Sequence, residues 1–124
     1  MIAALLAEGP SDKALLPILR WVLGSASPVP ARIEWIDTSS FARRPSTLRE
    51  EVDAAKIVCP CDLLFVHRDA DKQPPQWRYD KISQSVGDQV HVAVVPIRMT
   101  EAWLLIDAEA IRAASGRVSG IEDL

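Results

Sequence analysis

The 124 residues, 48% of them apolar and 25% charged, suffice for one compact domain with one core and are too few for two independent domains. The formal net charge of −3 excludes a protein that grips nucleic acid by a strong positive field alone, so any nucleic-acid partner must be held locally. Ten of the fourteen cationic residues are arginines, whose planar fork suits bidentate phosphate contact.

Ile2 to Ala7 is a continuous apolar run closed by Glu8-Gly9-Pro10, the pattern of a strand buried on both faces of a parallel sheet. It is short, has no basic leader and meets Glu8 almost at once, so it does not read as a signal peptide. Ser11 or Asp12 caps a following helix that carries Leu15, Leu16, Ile18, Leu19, Val22 and Leu23 inward and stops at Gly24. Pro17 inside it predicts a kink. Ser25 to Pro30 reads as a turn-rich linker, and Arg32 to Ile36 alternates as a half-exposed strand near a sheet edge should. Thr47 and, three residues on, Glu50 read as a capping box opening a helix through about Ile57, which Pro60 terminates. Cys59 and Cys61 are separated by Pro60 alone, a spacing that suits neither a strain-free disulfide nor a four-ligand zinc site. They read as reduced thiols of a cytosolic protein.

Asp62 to His67 holds the most apolar central run, Leu63-Leu64-Phe65-Val66, and reads as a central buried strand that delivers Asp69 and Asp71 just past its end. Gln73 to Gln76, with two prolines, reads as a loop, Asp80 to Val86 as a short helix and Val90 to Val95 as a fourth buried strand. Thr100 caps a last helix through about Ala114, before Gly116. The stretch from Ser119 to Leu124 resembles the start of another capped helix that never arrives, so the chain is expected to be a fragment or to lack its final element. No stretch approaches the roughly 20 apolar residues of a membrane helix, and a soluble, cytoplasmic protein is expected. The alternation of strand and helix predicts a single α/β domain over residues 1–124, a mostly parallel four-stranded sheet with helices on both faces.

In open α/β sheets ligands sit outside the carboxyl ends of the strands, and that edge is where the acids fall. Glu8 ends the first strand, and Asp69 and Asp71 follow the third. Residues two apart in an extended segment point the same way, so Asp69 and Asp71 aim at one point while Ala70 faces away. Converging carboxylates repel unless a cation is bound. Magnesium fits, with manganese as a substitute, because it takes hard oxygen ligands together with water and substrate phosphate. Asp12 and Glu101 are the reserve ligands. Asp12 reads equally as a helix-start acid, and Glu101, in the first turn after Thr100, is stabilising there regardless of function. His67 ends a strand and is more often a packed histidine than a catalytic base. Arg68, Lys72 and Arg98 flank the same edge as phosphate-binding cations, although a solvated side chain is the commoner outcome. Trp21, Trp35, Trp77 and Trp103 are scattered through different segments, which suits core packing better than a base-stacking platform.

The order of apolar strand, Glu8-Gly9-x-Ser11-Asp12, helix, then apolar strand and Asp69-x-Asp71 resembles the Toprim domain of topoisomerases, primases and OLD-type nucleases. The step from Glu8 to Asp12 looks most like the OLD-type branch, where both acids serve metal binding. The segment from Val95 to Asp107 is similar to a hallmark of bacterial Toprim-like proteins associated with phage defence. The resemblance spans residues 1 to about 110 and implies a Toprim-like, Rossmann-like fold. It also implies a magnesium-dependent nuclease, a hydrolase of nucleic-acid phosphodiesters, with Glu8, Asp69 and Asp71 as catalytic metal ligands. Toprim-like nucleases often carry a further basic residue towards the C-terminus, and no clear counterpart stands before Leu124.

The rival from another class is a non-catalytic Toprim-like sensor or scaffold of a defence system, working through a partner protein or as a homo-oligomer. A phosphatase of the haloacid dehalogenase type also uses Asp-x-Asp, but places it after the first strand rather than the third.

Overall fold

In the computed structural model, which describes residues 1–69, 73–95 and 108–119, the apolar runs become four strands: β1 (Ile2–Leu6), β2 (Arg32–Trp35), β3 (Leu63–His67) and β4 (His91–Val94). They form one sheet in the order β2-β1-β3-β4, every adjacent pair parallel. The central pair is in register from Ala3 opposite Leu63 to Leu6 opposite Val66. Four α-helices accompany them, α1 (Leu16–Ala26), α2 (Leu48–Val58), α3 (Pro75–Val86) and α4 (Ala108–Ser119). The expected α/β architecture is therefore present.

The strand order explains which helix covers which face. The chain leaves β1 in one direction to reach β2, then crosses back past β1 to β3 and continues outward to β4. Right-handed crossovers in opposite directions place their helices on opposite faces, so α1 lies on one face while α2 and α3 share the other. Alternation along the strands completes two cores. Ala3, Leu5, Leu63 and Phe65 pack with Leu19 and Leu23 of α1 and Ile111 and Ala114 of α4. Ala4, Leu6, Leu64 and Val66 pack with Val52 and Ala55 of α2 and Ile82 and Val86 of α3. Each fully buried large aliphatic side chain contributes about 1.5–3 kcal/mol relative to exposure, which makes the continuous apolar runs of β1 and β3 the main stabilising elements. Their starts are clamped together as well, Ile2 N–H donating to Asp62 Oδ2 and Asp62 N–H to Ile2 O, both over 2.8 Å.

Several local expectations change. The helix after β1 begins as a 3-10 turn (Pro10–Leu15) capped by Gly9, with Asp12 in its first turn rather than at the cap. Pro17 falls in the first turn of α1, where its missing N–H costs nothing, so it continues the helix instead of kinking it. Gly24 lies inside α1, which ends where Ser27 N–H bonds Leu23 O over 2.8 Å. At α2, Thr47 Oγ1 accepts the Glu50 N–H at 3.1 Å, but the Glu50 carboxylate takes the N–H and hydroxyl of Ser46, each at 2.8 Å, rather than returning to Thr47. Pro75 opens α3 as a first-turn proline, so the expected loop through Gln76 is shorter and the helix longer. Helix α4 runs through Gly116 to Ser119, held to the end of α1 by Ser115 Oγ, 2.7 Å from Ser27 Oγ. Tertiary packing there overrides the poor helix propensity of glycine. Thr100, Trp103 and the segment after Ser119 lie outside the described residues.

Strand β4 is at the edge of the described sheet, so His91 and Ala93 are half-buried where a fully buried strand was expected. The tryptophans correct the packing expectation more strongly. Trp21 is 71% exposed and Trp77 also faces solvent. Leu19 and Leu23 point into the core, and Trp21, two residues from each, comes out about 200° around the helix. Cys59 and Cys61 are free thiols, as expected. No described helix is long and apolar enough to cross a membrane.

Candidate functional site

The order β2-β1-β3-β4 places the topological switch between β1 and β3, where successive connections leave in opposite directions and open a crevice beyond the strand ends. Glu8 lies two residues past the end of β1 and Asp69 two past the end of β3. The structure brings the pair together: Asp69 N–H donates to Glu8 Oε1 over 3.1 Å. Oε2 of Glu8 has no hydrogen-bond partner among the described residues, and both carboxylates reach solvent, with side chains 38% and 57% exposed.

His67, the last residue of β3, is held beneath them with its side chain only 5% exposed. Its ring lies between two acids, Nδ1 3.4 Å from Asp12 Oδ2 and Nε2 3.9 Å from Asp69 Oδ1. Nδ1 has no hydrogen-bond partner, and Asp12 Oδ2 beside it also accepts the Gly9 N–H at 3.1 Å. Asp12 is thereby both the first-turn acid of its helix and the neighbour of the buried imidazole.

Arg68, expected at the surface as a phosphate-binding cation, turns inward. Its side chain is 10% exposed, donating to Glu51 Oε2 at 2.7 Å and to His67 O at 2.7 Å, with Nε 4.0 Å from Glu8 Oε1. The guanidinium compensates Glu51 and approaches Glu8 from below, and its donors are spent inside the protein. Arg78 of α3 closes the other side, Nε donating to Asp69 O at 2.8 Å.

Asp71, Lys72, Arg98 and Glu101 lie outside the described residues. Among the described residues no three His, Cys, Asp or Glu side chains are grouped closely enough to hold a metal. Glu8 meets Asp69 through the backbone amide of Asp69, and both residues carry hard carboxylate oxygens open to water, the kind of ligand a hard divalent cation takes. In chemical type they fit the expected magnesium.

Glu51 and Arg78 were not anticipated from the sequence, although a signal was available. A helix that follows a parallel strand starts at the carboxyl edge of the sheet, so charged residues in the first turns of α2 and α3 are delivered to the same crevice as Glu8 and Asp69. The crevice extends from Glu8 into a cleft of about 500 Å³ beside the segment between β2 and α2. A neighbouring cleft of about 440 Å³ shares Phe41, Arg43, Arg44 and Pro45 with it, is otherwise walled by residues that include Glu50, Asp53, Ala54, Ile57 and Val58, and lacks Glu8 and Asp69.

No family model, curated protein or solved structure matches this chain.

Proposed function

We propose that the crevice between β1 and β3 is a metal-dependent phosphodiester-hydrolysing centre acting on nucleic acid, of the Toprim type that the motif order resembles. One observation carries the reading: Glu8 and Asp69, 61 residues apart in sequence, meet through the 3.1 Å bond from Asp69 N–H to Glu8 Oε1 at the topological switch point.

In this reading Glu8 and Asp69 hold Mg²⁺, or Mn²⁺ in its place, and Asp71 and Glu101 join them. The bound cation supplies charge neutralisation at the phosphodiester and acidifies a water. The remaining work belongs to the chain. The Asp69 amide fixes the Glu8 rotamer, leaving Oε2 to accept the proton of the attacking water. Arg68 offsets the carboxylate charge from inside. General-base roles of this kind contribute typically 10²–10⁴-fold, so Glu8→Gln is expected to lower cleavage by roughly 10²-fold or more. The test is magnesium-dependent cleavage of plasmid and single-stranded DNA by wild type, Glu8→Gln and Asp69→Asn. Equal rates for all three would sink the proposal.

A second reading, a non-catalytic scaffold of a defence system, draws support from the exposed apolar surface at Trp21 and at Ile57, the latter 82% exposed. It predicts partner association that survives Asp69→Asn.

A further inference from the structure

Arg43 and Arg44 stand on the segment joining β2 to α2, which leaves the same carboxyl edge as the acids. They line the cleft of about 500 Å³ together with Thr38, Ser39, Glu8 and Glu51. Its size is in the range that takes small ligands, which is about 300–1,000 Å³. The segment is pinned at both ends. Asp37 accepts the Ser39 N–H at 3.0 Å and its hydroxyl at 2.6 Å, Phe41 packs on the core beneath α2 and α3, and Ser46 bonds Glu50.

The charges around the cleft are unevenly compensated. Glu51 is paired with Arg68 at 2.7 Å, and the same guanidinium lies 4.0 Å from Glu8. Neither Arg43 nor Arg44 has a carboxylate within 4.0 Å among the described residues, and both are exposed, although Arg43 is near enough to Glu50 to help lower its carboxyl pKa. One guanidinium thus serves both carboxylates that line the cleft, and the Arg43 and Arg44 guanidinium groups border the same polar space next to Glu8 without an ion pair within 4.0 Å among the described residues. Planar guanidinium forks in that position suit an oxyanion with several acceptor oxygens.

We infer that Arg43 and Arg44 form a phosphate-binding subsite that takes a backbone phosphate of a nucleic-acid strand, adjacent to the phosphodiester at Glu8 and Asp69. The inference rests on the phosphodiesterase reading of those acids and adds to it the path of the strand: across the β2 side of the sheet edge, over the Arg43-Arg44 segment. It also supplies the local cationic grip that a chain of net charge −3 needs.

The test is binding of a fluorescein-labelled single-stranded DNA 12-mer in EDTA, read by anisotropy over a salt series. The proteins are wild type, the double variant Arg43→Ala/Arg44→Ala, and Arg20→Ala as an exposed arginine on α1 remote from the edge. The double variant is expected to bind at least about ten-fold more weakly, with the slope of log K against log salt reduced by roughly 1.4, two phosphate contacts at about 0.7 each. Arg20→Ala should behave as wild type. Equal loss in Arg20→Ala, unchanged affinity in the double variant, or no binding by wild type would overturn the subsite. Paramagnetic broadening of the Glu8 and Asp69 amides by Mn²⁺ separates the two readings. Broadening with an indifferent double variant keeps the acidic centre and removes the arginine subsite. Arginine-dependent DNA binding without broadening keeps the subsite and removes the metal centre.

Discussion

Glu8 Oε1 accepts the backbone N–H of Asp69 over 3.1 Å, so an amide just past β3 fixes a carboxylate just past β1. Sheet register brings the two segments within reach. Leu6 lies opposite Val66, and two residues further along each strand the chain reaches Glu8 and Arg68, with the next amide, that of Asp69, in range. Position at the site is therefore set by the ladder of the two best-buried strands, the most rigid part of the molecule.

Asp12 has two duties that substitution can separate. Its carboxylate accepts the Gly9 N–H at 3.1 Å and lies 3.4 Å from His67 Nδ1. Asp12→Asn keeps an acceptor for Gly9 and should stay near wild-type stability in urea unfolding, whereas Asp12→Ala should lose about 0.5–2 kcal/mol, the usual cost of removing a helix-start acceptor. The Gly9 and His67 contacts account for Asp12 without a metal, so Mn²⁺ affinity measured by calorimetry should be little changed in Asp12→Asn, which tests its expected role as a ligand. A ten-fold loss would return Asp12 to the metal's ligands.

The Arg68–Glu51 pair should show the asymmetry of a desolvated ion pair. Removing one member of a buried pair costs roughly 3–5 kcal/mol, and partial exposure of Glu51 reduces that here to about 2–3 kcal/mol for Glu51→Ala. The double variant Glu51→Gln/Arg68→Met should be less destabilised than either Glu51→Ala or Arg68→Ala alone. Denaturant midpoints of the set decide it, and additive losses would show that the pair is screened by water.

Two glycines should respond oppositely to alanine. Gly87 closes α3 with φ +68° and ψ −130°, a conformation that side chains disfavour, so Gly87→Ala should cost about 1–3 kcal/mol even though no atom would crowd the added Cβ. Gly24 sits inside α1 with open space around it. Gly24→Ala should stabilise by roughly 0.5–1 kcal/mol through reduced chain entropy in the unfolded state. Thermal unfolding of the two variants should move the midpoint in opposite directions.

Burial pushes the Cys61 thiol up to about 11 from an ordinary 9.0, with Cys59 and Asp62 adding to the shift. A folded pKa above the unfolded one means that this contribution to stability is fully present below pH 9 and is lost as pH rises from about 9 to about 11, where the unfolded chain ionises and the folded one resists. Cys59 shifts in the same direction, also by burial. Alkylation by iodoacetamide at pH 8 should accordingly be slower than for a free cysteine and accelerate on unfolding in urea. Equal rates in folded and unfolded protein would refute the burial account.

The apolar runs Ile2–Ala7 and Leu63–Val66 announce two buried parallel strands from the sequence, and with them the edge at which Glu8 and Asp69 emerge. Short apolar runs bounded by turn residues are the pattern of strands buried on both faces. Helix ends were less legible. Pro17 and Pro75 look like breakers until their first-turn positions are known, and Gly24 and Gly116 look like stops until packing carries the helices past them. Arg68 shows the deeper limit. One residue from an acidic motif it reads as a phosphate ligand, yet the neighbouring helix α2 brings Glu51 to 2.7 Å and turns it inward. The exposed cations at Arg43 and Arg44 were equally hidden, because nothing in a linear Arg-Arg pair says that its loop opens onto Glu8. The sequence by itself determined the strands, their polarity and the acids at their ends, through burial and periodicity. Tertiary structure alone decided which charges neutralise one another at that edge and which stay free, because pairing depends on distances across strands and helices remote in sequence.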